Sequence, residues 1–401
     1  MPDYFYLGDG EGGFSAMTRQ DGRIPMTTTT TMSVSANDLT NDGAAEIYLA
    51  QIAGRASGVS SRLRMQPIEQ YCDGILREAD RAVCQQNMDI KNWYRPGNAL
   101  DPSFANHCAP LAEPYRSECR GMLIKDIAIQ NRNPDMCALV PVGQIRARQY
   151  CDIHFQPSRP MTAGEQDAAI PQILARNVLL QPAADGGYTE QARALGLEVG
   201  GWSWDVSIAD FDNDGWQDVY IVNGTWVPNE VTPSNIFLRN NGGTGFEEVT
   251  EAWGLSDYLI TAAATVTDID HDGDLDMITV PVNGPAVVFL NNARDTRAIG
   301  FEFDDRIGNR DGIGARVEIR YGETGEQMQM REVQLGGGYM SFDAPLAHFG
   351  LGEATQIESA TIRWADGGVT RIDEPLQAGA TYRITRTDID QGQAPLEDSR
   401  P

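Results

Sequence analysis

The sequence predicts a mainly β protein of propeller-type blades, with a disulfide-stapled α-helical insert and a C-terminal β module. Three observations predict this class: an acidic nine-residue loop that recurs between alternating apolar segments, six cysteines in a segment of helical periodicity, and alternating segments after residue 300. The two complete loops begin at Asp210 and Asp268, 58 residues apart, which suits a four-stranded blade. About three blades are recognisable and closed propellers need roughly four to eight, so we expect a partial or N-terminally truncated set.

The acidic loop occurs twice in full and once in a reduced form. Oxygen side chains stand at positions 1, 3, 5 and 9, Gly stands at position 6, and the carbonyl of position 7 can add a main-chain ligand, which suits Ca²⁺. The flanking strands, and Ile221 and Thr279 at position 12, argue against an EF-hand. The predicted metal ligands are Asp210, Asp212, Asp214, Trp216 and Asp218, then Asp268, Asp270, Asp272, Asp274 and Asp276, and in the reduced copy Asp38, Thr40, Asp42 and Glu46.

We expect two calcium sites and a third that is weak or empty, because Thr40 replaces a carboxylate and Glu46 lengthens another. The alternative is that these loops are solvated Asp/Asn/Gly turns. Two full copies in equivalent surroundings favour the metal, since so many carboxylates would repel each other without a counter-ion.

All six cysteines fall within one stretch, as three units in which a first Cys is followed by Arg-x-x-Cys. One continuous helix would hold the two cysteines of a unit about 18 Å apart, so each unit must fold back for a disulfide to form. The repeat favours the pairs Cys72–Cys84, Cys108–Cys119 and Cys137–Cys151. No CxxC pair occurs, which argues against zinc and against a redox site.

A formal net charge of −26 excludes non-specific binding to nucleic acid or anionic lipid. No apolar run of about 18 residues predicts a membrane span. The first residues lack the pattern of a signal peptide, yet three disulfides and calcium loops indicate an oxidising compartment. We therefore expect a secreted, cell-surface or periplasmic protein whose leader is not in this sequence.

Five segments are predicted. They are a blade at 1–55, a Cys-rich helical insert at 56–160, blades with two calcium loops at 161–299, a β module at 300–387 and a disordered tail at 388–401.

The acidic loops with their flanking strands resemble the FG-GAP/VCBS repeats of integrin-like β-propellers. The C-terminal segment resembles an ASPIC/UnbV module in its stretches 309–316, 331–333, 337–341, 348–352 and 363–367. Together these features are similar to the cartilage acidic protein family. The resemblance implies a propeller followed by the module, calcium held by the acidic loops, and a secreted or surface location.

Functionally, we expect a calcium-binding adhesion or interaction protein with a protein or glycan partner, and no enzyme. One alternative is a carbohydrate-active or hydrolytic enzyme with its site in the C-terminal module. A second alternative is a scaffold subunit that self-assembles through exposed blade edges. The residues that could form an acid/base site are Arg310, Asp311, Arg331, Glu332, Tyr339 and His348.

Overall fold

The structure is a computed structural model of the 401-residue chain. It describes residues 5–17, 22–25, 31–52, 65–67, 72–73, 75, 77–79, 81–82, 85, 108–109, 112–157, 162, 164, 176–224, 231–259, 261–281, 285–293, 296–336, 338–387 and 396–398. The chain divides into two compact units: residues 1–80, 171–226 and 231–401 form one, and residues 81–170 with 227–230 form the other.

The first part of the larger unit consists of an N-terminal hairpin and three blade-type antiparallel sheets. Its strands are β1 (Phe5–Gly8), β2 (Phe14–Met17), β3 (Thr31–Asn37), β4 (Glu46–Gln51), β5 (Met65–Pro67), β6 (Val178–Pro182), β7 (Tyr188–Glu190), β8 (Ser203–Ala209), β9 (Asp218–Asn223), β10 (Val231–Pro233), β11 (Ile236–Asn240), β12 (Phe246–Glu248), β13 (Thr261–Thr267), β14 (Asp276–Pro281) and β15 (Val287–Phe289). Blade 1 has the order β3-β4-β6-β7, blade 2 has β8-β9-β11-β12, and blade 3 has β13-β14-β15. Each acidic loop joins the first and second strands of its blade.

Apolar side chains from neighbouring blades form continuous cores. One core joins blades 1 and 2 and includes Leu39, Leu197 and Phe246, and a second joins blades 2 and 3 and includes Phe211 and Phe237. Alternation along the strands directs these side chains into the space between sheets. The predicted propeller-type packing of the blades is confirmed.

Blade 1 is interrupted in sequence by the smaller unit. This unit contains α1 (Tyr115–Gln130), a 3₁₀-helix at Pro134–Leu139 and α2 (Ile145–Phe155), and α1 packs against both other helices. Two predicted disulfides are confirmed, Cys108–Cys119 and Cys137–Cys151, with Cα–Cα distances of 5.6 and 5.7 Å. Cys72 is also disulfide-bonded, and its predicted partner Cys84 lies outside the described residues.

The C-terminal module consists of two sheets that share one apolar core around Phe301, Val317, Phe349 and Ile362. Its strands are β16 (Arg297–Asp305), β17 (Arg316–Tyr321), β18 (Gln327–Glu332), β19 (Ala347–Gly352), β20 (Gln356–Arg363), β21 (Val369–Ile372), β22 (Leu376–Gln377), β23 (Ala380–Arg386) and β24 (Leu396–Asp398). One sheet has the order β19-β16-β23-β24, and the other is built on β18-β17-β20-β21. β16 and β23 run parallel, and the other described pairs of the module are antiparallel.

Two predicted segment limits need correction. The predicted helical insert begins at residue 56, but β5 within it pairs with β10, so part of this segment belongs to the larger unit. The predicted disordered tail contains β24, which pairs with β23 through Tyr382 and Asp398. Local composition predicted neither strand. The partner of β5 is remote in sequence, and the segment that contains β24 has the polar composition of a tail. None of the described helices has the length and apolarity needed to cross a bilayer.

Candidate metal centres

The three acidic loops share one backbone conformation. In each loop, position 4 and the Gly at position 6 have positive φ, a conformation that Asn tolerates better than most residues and Gly adopts without penalty. The φ values at position 4 are 53° for Asn41, 57° for Asn213 and 60° for His271, and at position 6 they are 85° for Gly43, 95° for Gly215 and 96° for Gly273. The sequence predicted the turn at position 6; the turn at position 4 was missed, and Asn41 and Asn213 were the available signal for it. His271 is exposed, as expected of a spacer.

Backbone amides hold the first and last carboxylates of the blade 2 loop. Asp210 accepts hydrogen bonds from the amides of Asp214 at 3.1 Å and Gly215 at 2.8 Å. Asp218 accepts from Phe211 at 3.2 Å and from Asn240 on β11 at 2.8 Å. The same pattern recurs in blade 3, where the amides of Ile269 and Asn291 donate to Asp276. The loop therefore aims its carboxylates inward before any ion binds.

Two groups of carboxylates converge closely enough to share one ion. Oxygens of Asp210, Asp212 and Asp214 all lie within 4.8 Å of one another, and so do oxygens of Asp268, Asp270 and Asp276. Among the described residues, Oδ1 of Asp212 and Oδ1 of Asp268 have no hydrogen-bond partner although both atoms are buried. Buried, unpartnered carboxylate oxygens are costly unless a cation accepts them. The residues therefore fit an oxygen-ligated cation such as Ca²⁺.

Electrostatics in the blade 2 loop favour such a cation. Burial raises the pKa of Asp210 to about 8, against the attraction of Arg331. Burial, followed by repulsion from Asp212, raises the pKa of Asp214 to about 6. Burial and the neighbouring carboxylates hold the pKa of Asp218 well above its usual value. Bringing these groups together as anions is costly, and a divalent ion would remove that cost.

Arg239 on β11 distinguishes the blade 2 loop from its copy. Its Nε lies 2.5 Å from Oδ2 of Asp212, and its Nη2 lies 2.8 Å from Oδ2 of Asp214. The corresponding residue of blade 3 is Leu290, because Asn240 and Asn291 occupy the next position and bind equivalent carboxylates. Sequence reasoning missed Arg239, whose role depends on a strand pairing between β9 and β11.

The other predicted ligands are placed differently. The carboxylate of Asp274 accepts a hydrogen bond from Asn213 at 2.7 Å, which links the blade 3 loop to the blade 2 loop. Asp272 accepts from the amide of Asp274, and the amide of Trp216 donates to Asp214. Asp218 and Asp272 lie outside the two groups of converging carboxylates among the described residues.

In the reduced loop of blade 1, hydrogen bonds within the loop hold both carboxylates, Asp38 and Glu46. The hydroxyl of Thr40 donates to Glu46 at 3.0 Å, and the amide of Leu39 donates to the other oxygen of Glu46 at 2.8 Å. Asp38 accepts from the amides of Asp42 and Gly43. In the described part of the chain this loop forms no group of converging carboxylates like the other two.

The C-terminal module contacts both complete loops. The amide of Gly350 donates to Oδ2 of Asp210 at 3.1 Å, and the amide of Gly352 donates to the carbonyl of Asn213 at 2.7 Å. Nε2 of His348 lies 3.1 Å from the carbonyl of Gly273. The edge strand β19 therefore covers the two candidate metal loops from one side.

The residues considered for catalysis do not share one site. His348 and Arg331 are buried, and with Glu332 they line a cavity of about 100 Å³. The guanidinium of Arg331 donates hydrogen bonds to the carbonyl of Met330 and to Oε1 of Gln329, both within the module. Arg310 and Asp311 line a second, open cleft, which His348 also lines, and the amide of Tyr339 donates to Asp205.

The fold and site define a protein of blade-type repeats with acidic loops that could hold a cation, joined to a two-sheet C-terminal module. Residues 305–391 match the family model described as ASPIC and UnbV, so the C-terminal module is an ASPIC/UnbV module. The chain is similar to cartilage acidic protein 1 of Homo sapiens, with 28% identity over 206 residues, 49% of this chain and 30% of that protein. For cartilage acidic protein 1 of Mus musculus, identity is 29% over 174 residues, 40% of this chain and 25% of that protein. The predicted resemblance of the C-terminal segment to the ASPIC/UnbV module, and of the chain to cartilage acidic proteins, is confirmed.

These alignments span less than a third of the length of either relative. A solved structure from Bacteroides ovatus ATCC 8483, described as a candidate for cell adhesion, covers 55% of this chain and 93% of its own. Its sequence identity is 10% and its TM-score is 0.19, so it supports no conclusion about this chain.

Proposed function

We propose that this chain is an extracellular calcium-binding protein that presents a rigid surface to a protein or glycan partner. The observation that carries the proposal is the pair of carboxylate groups, one around Asp210 and one around Asp268, each with its oxygens within 4.8 Å. Asp210, Asp212 and Asp214 would hold one ion, and Asp268, Asp270 and Asp276 the other. In each site Ca²⁺ would supply the positive charge, and the carboxylates would supply the oxygen ligands.

In this proposal the ion stabilises the structure and takes no part in a reaction. Ca²⁺ neutralises carboxylates that otherwise repel, and Asp210 also binds the module through Gly350. One ion therefore stabilises both a blade loop and the contact of that blade with the ASPIC/UnbV module. A ligand that binds only the native state at ~100 times its dissociation constant stabilises that state by about 2.7 kcal/mol.

Two further features support an extracellular setting. Both described disulfides persist only where thiols are not kept reduced. Calcium is abundant outside cells, so sites of modest affinity fill there. The proposal also treats the chain as a binding protein and not an enzyme; turnover of a glycoside or ester substrate that His348→Ala abolishes in a folded protein would contradict it.

The experiment is a count of bound metal combined with thermal unfolding, before and after chelation. We expect two calcium ions per chain and a large fall in melting temperature when they are stripped. The double variant Asp212→Ala/Asp270→Ala should lose both effects, and the exposed control Asp373→Ala should keep them. Unchanged calcium content in the double variant would contradict the proposal. A glycan array and a cell-surface binding assay then separate glycan from protein partners.

A further inference from the structure

The internal repeat shows how a fourth strand closes a blade. In blade 2 the fourth strand is β12, and its first residue, Phe246, is only 9% exposed. Phe246 packs in the core between blades 1 and 2 with Leu39, Leu197 and Leu238. Its carbonyl lies so close to Gly196 that a Cβ there would be 3.0 Å away. The fourth strand therefore supplies an aromatic side chain that fills the groove between its own blade and the preceding one.

Blade 3 has no such strand among the described residues. Its sheet ends at β15, and the described chain resumes after residue 295 in β16 of the module. Gly254 corresponds to Gly196 by its place before Leu255 and by its φ of 74°, but a Cβ at Gly254 would meet nothing within 4 Å. The space that Phe246 fills in one blade is thus open in the next.

That open space is an apolar groove of about 390 Å³. It is lined by Phe211, Phe237, Trp253, Leu255, Met277 and Phe289, among others. Phe211 and Leu255 occupy the positions of Leu39 and Leu197, which contact Phe246 in the preceding core. Trp253 in this lining is 39% exposed, and Val288 on the adjacent strand β15 is 50% exposed. An unpaired strand edge beside such a groove is a template for strand addition.

The same chain carries a strand of the matching type. The β1–β2 hairpin pairs Gly8 with Phe14, just as β11–β12 pairs Asn240 with Phe246. The two turns close in the same way, through amide-to-carbonyl bonds from Asp9 to Gly13 and from Asn241 to Gly245. Phe14 is 74% exposed, whereas Phe246 is buried. The β1–β2 hairpin therefore exposes an aromatic side chain that fills no groove. The groove beside β15 lacks the aromatic side chain that fills its counterpart between blades 1 and 2.

We propose that copies of this chain associate head to tail, with β2 of one copy adding to the edge of β15 in the next. Phe14 then enters the groove beside Trp253. Neither Phe14–Met17 nor Val287–Phe289 carries a charge, so the paired strands themselves do not repel each other. The carboxylate of Asp212 lines the groove, and Arg239 is ion-paired with it. Because the two surfaces differ, the contact is heterologous and gives an open series of oligomers or a ring.

The test measures mass by light scattering and sedimentation from about 1 μM to about 1 mM protein. Wild type should form oligomers that grow with concentration. Phe14→Glu removes the aromatic side chain, and Trp253→Glu disables the groove. Each alone should weaken association by about tenfold or more, because an aromatic anchor in a desolvated pocket dominates such contacts. Val142→Glu, at a fully exposed position of the other unit, is the matched control and should associate like wild type.

Mixing the variants is the decisive step. Phe14→Glu keeps an intact groove and Trp253→Glu keeps an intact hairpin, so an equimolar mixture should form dimers at concentrations at which neither variant associates alone. If Trp253→Glu fails to fold, Val288→Lys blocks the strand edge instead. A wild type that stays monomeric, a Phe14→Glu protein that associates like wild type, or a mixture that stays monomeric would each overturn the proposal.

Discussion

The amide of Gly350 donates a hydrogen bond to Oδ2 of Asp210, so the C-terminal module touches the first carboxylate of the blade 2 metal loop. The carbonyl of Gly350 in turn accepts from Gln329 at 2.7 Å. A Cβ at residue 350 would overlap both Asp210 and the backbone of Asn213. The contact exists only because residue 350 has no side chain.

The first prediction follows from that contact. Gly350→Ala should lower the free energy of unfolding by about 2 kcal/mol or more, because the loop or the strand must move to relieve the overlap. Calorimetric titration should show weakened calcium binding in the blade 2 loop and unchanged binding in the blade 3 loop. Gly143→Ala is the control, since a Cβ there meets nothing within 4 Å. Wild-type calcium binding in Gly350→Ala would contradict the coupling.

The second prediction concerns Arg239, which bridges Asp212 and Asp214. Arg239→Leu gives blade 2 the residue that blade 3 has at Leu290. Removing a competing cation from the carboxylates should raise calcium affinity in this loop by about tenfold and lower the stability of the calcium-free protein. Isothermal titration and chelated unfolding measure the two effects. Reduced calcium affinity would mean that Arg239 assists the site and does not compete with it.

The third prediction tests whether the blade 1 loop lacks only carboxylate ligands to bind calcium. Its backbone already matches the complete loops, with Asn41 and Gly43 at positive φ. Thr40→Asp combined with Glu46→Asp removes the internal hydrogen bond of this loop and restores the full carboxylate set. Metal analysis should rise from two calcium ions per chain to three. A count that stays at two would show that burial or packing closes this position.

The fourth prediction is a pH dependence due to Asp257. Burial raises the pKa of Asp257 to about 6, and its carboxylate accepts from Leu259 and Asn235. The folded pKa lies above the unfolded pKa, so this group's contribution to stability is full below about pH 4 and is lost as pH rises through about 6. Relative to wild type, Asp257→Asn should gain about 3 kcal/mol between pH 4 and pH 7. Chemical unfolding at saturating calcium measures this, with Asp373→Asn as the control.

The fifth prediction concerns Arg386, which is 5% exposed in the module. Its guanidinium bonds both oxygens of Asp305 and both of Asp366, and it stacks 4.5 Å from the ring of Trp364. Arg386→Met leaves Asp305 buried without its partner and should cost about 3–5 kcal/mol. Arg383→Met on the same strand breaks only the exposed pair with Glu302 and should cost about 1 kcal/mol or less. Equal losses in the two variants would contradict this ranking.

Much of this architecture could be predicted from local sequence. The spacing of the loop at Asp210 and its copy at Asp268 predicted the blades, and the Cys repeat predicted two described disulfides. The parts that could not be predicted depend on contacts between remote residues. Arg239 reaches the loop across a strand pair, and β24 joins a sheet although its composition is that of a tail. Spacing within one loop also could not show that Asp274 binds Asn213 of another blade.

The parallel pairing of β16 with β23 sets an order of events during synthesis. Blades 2 and 3 pair strands that are close in the chain, whereas Ile299 must wait for Ala380 to emerge before its sheet can close, and Ile47 of blade 1 must wait for Leu180. Pairings between remote strands form late, because a long loop must be ordered first. The blade 2 loop, which receives Gly350 from this module, is therefore completed only after residue 350 has been synthesised. A nascent chain that has not yet reached Gly350 therefore leaves the carboxylates of this loop without their cover.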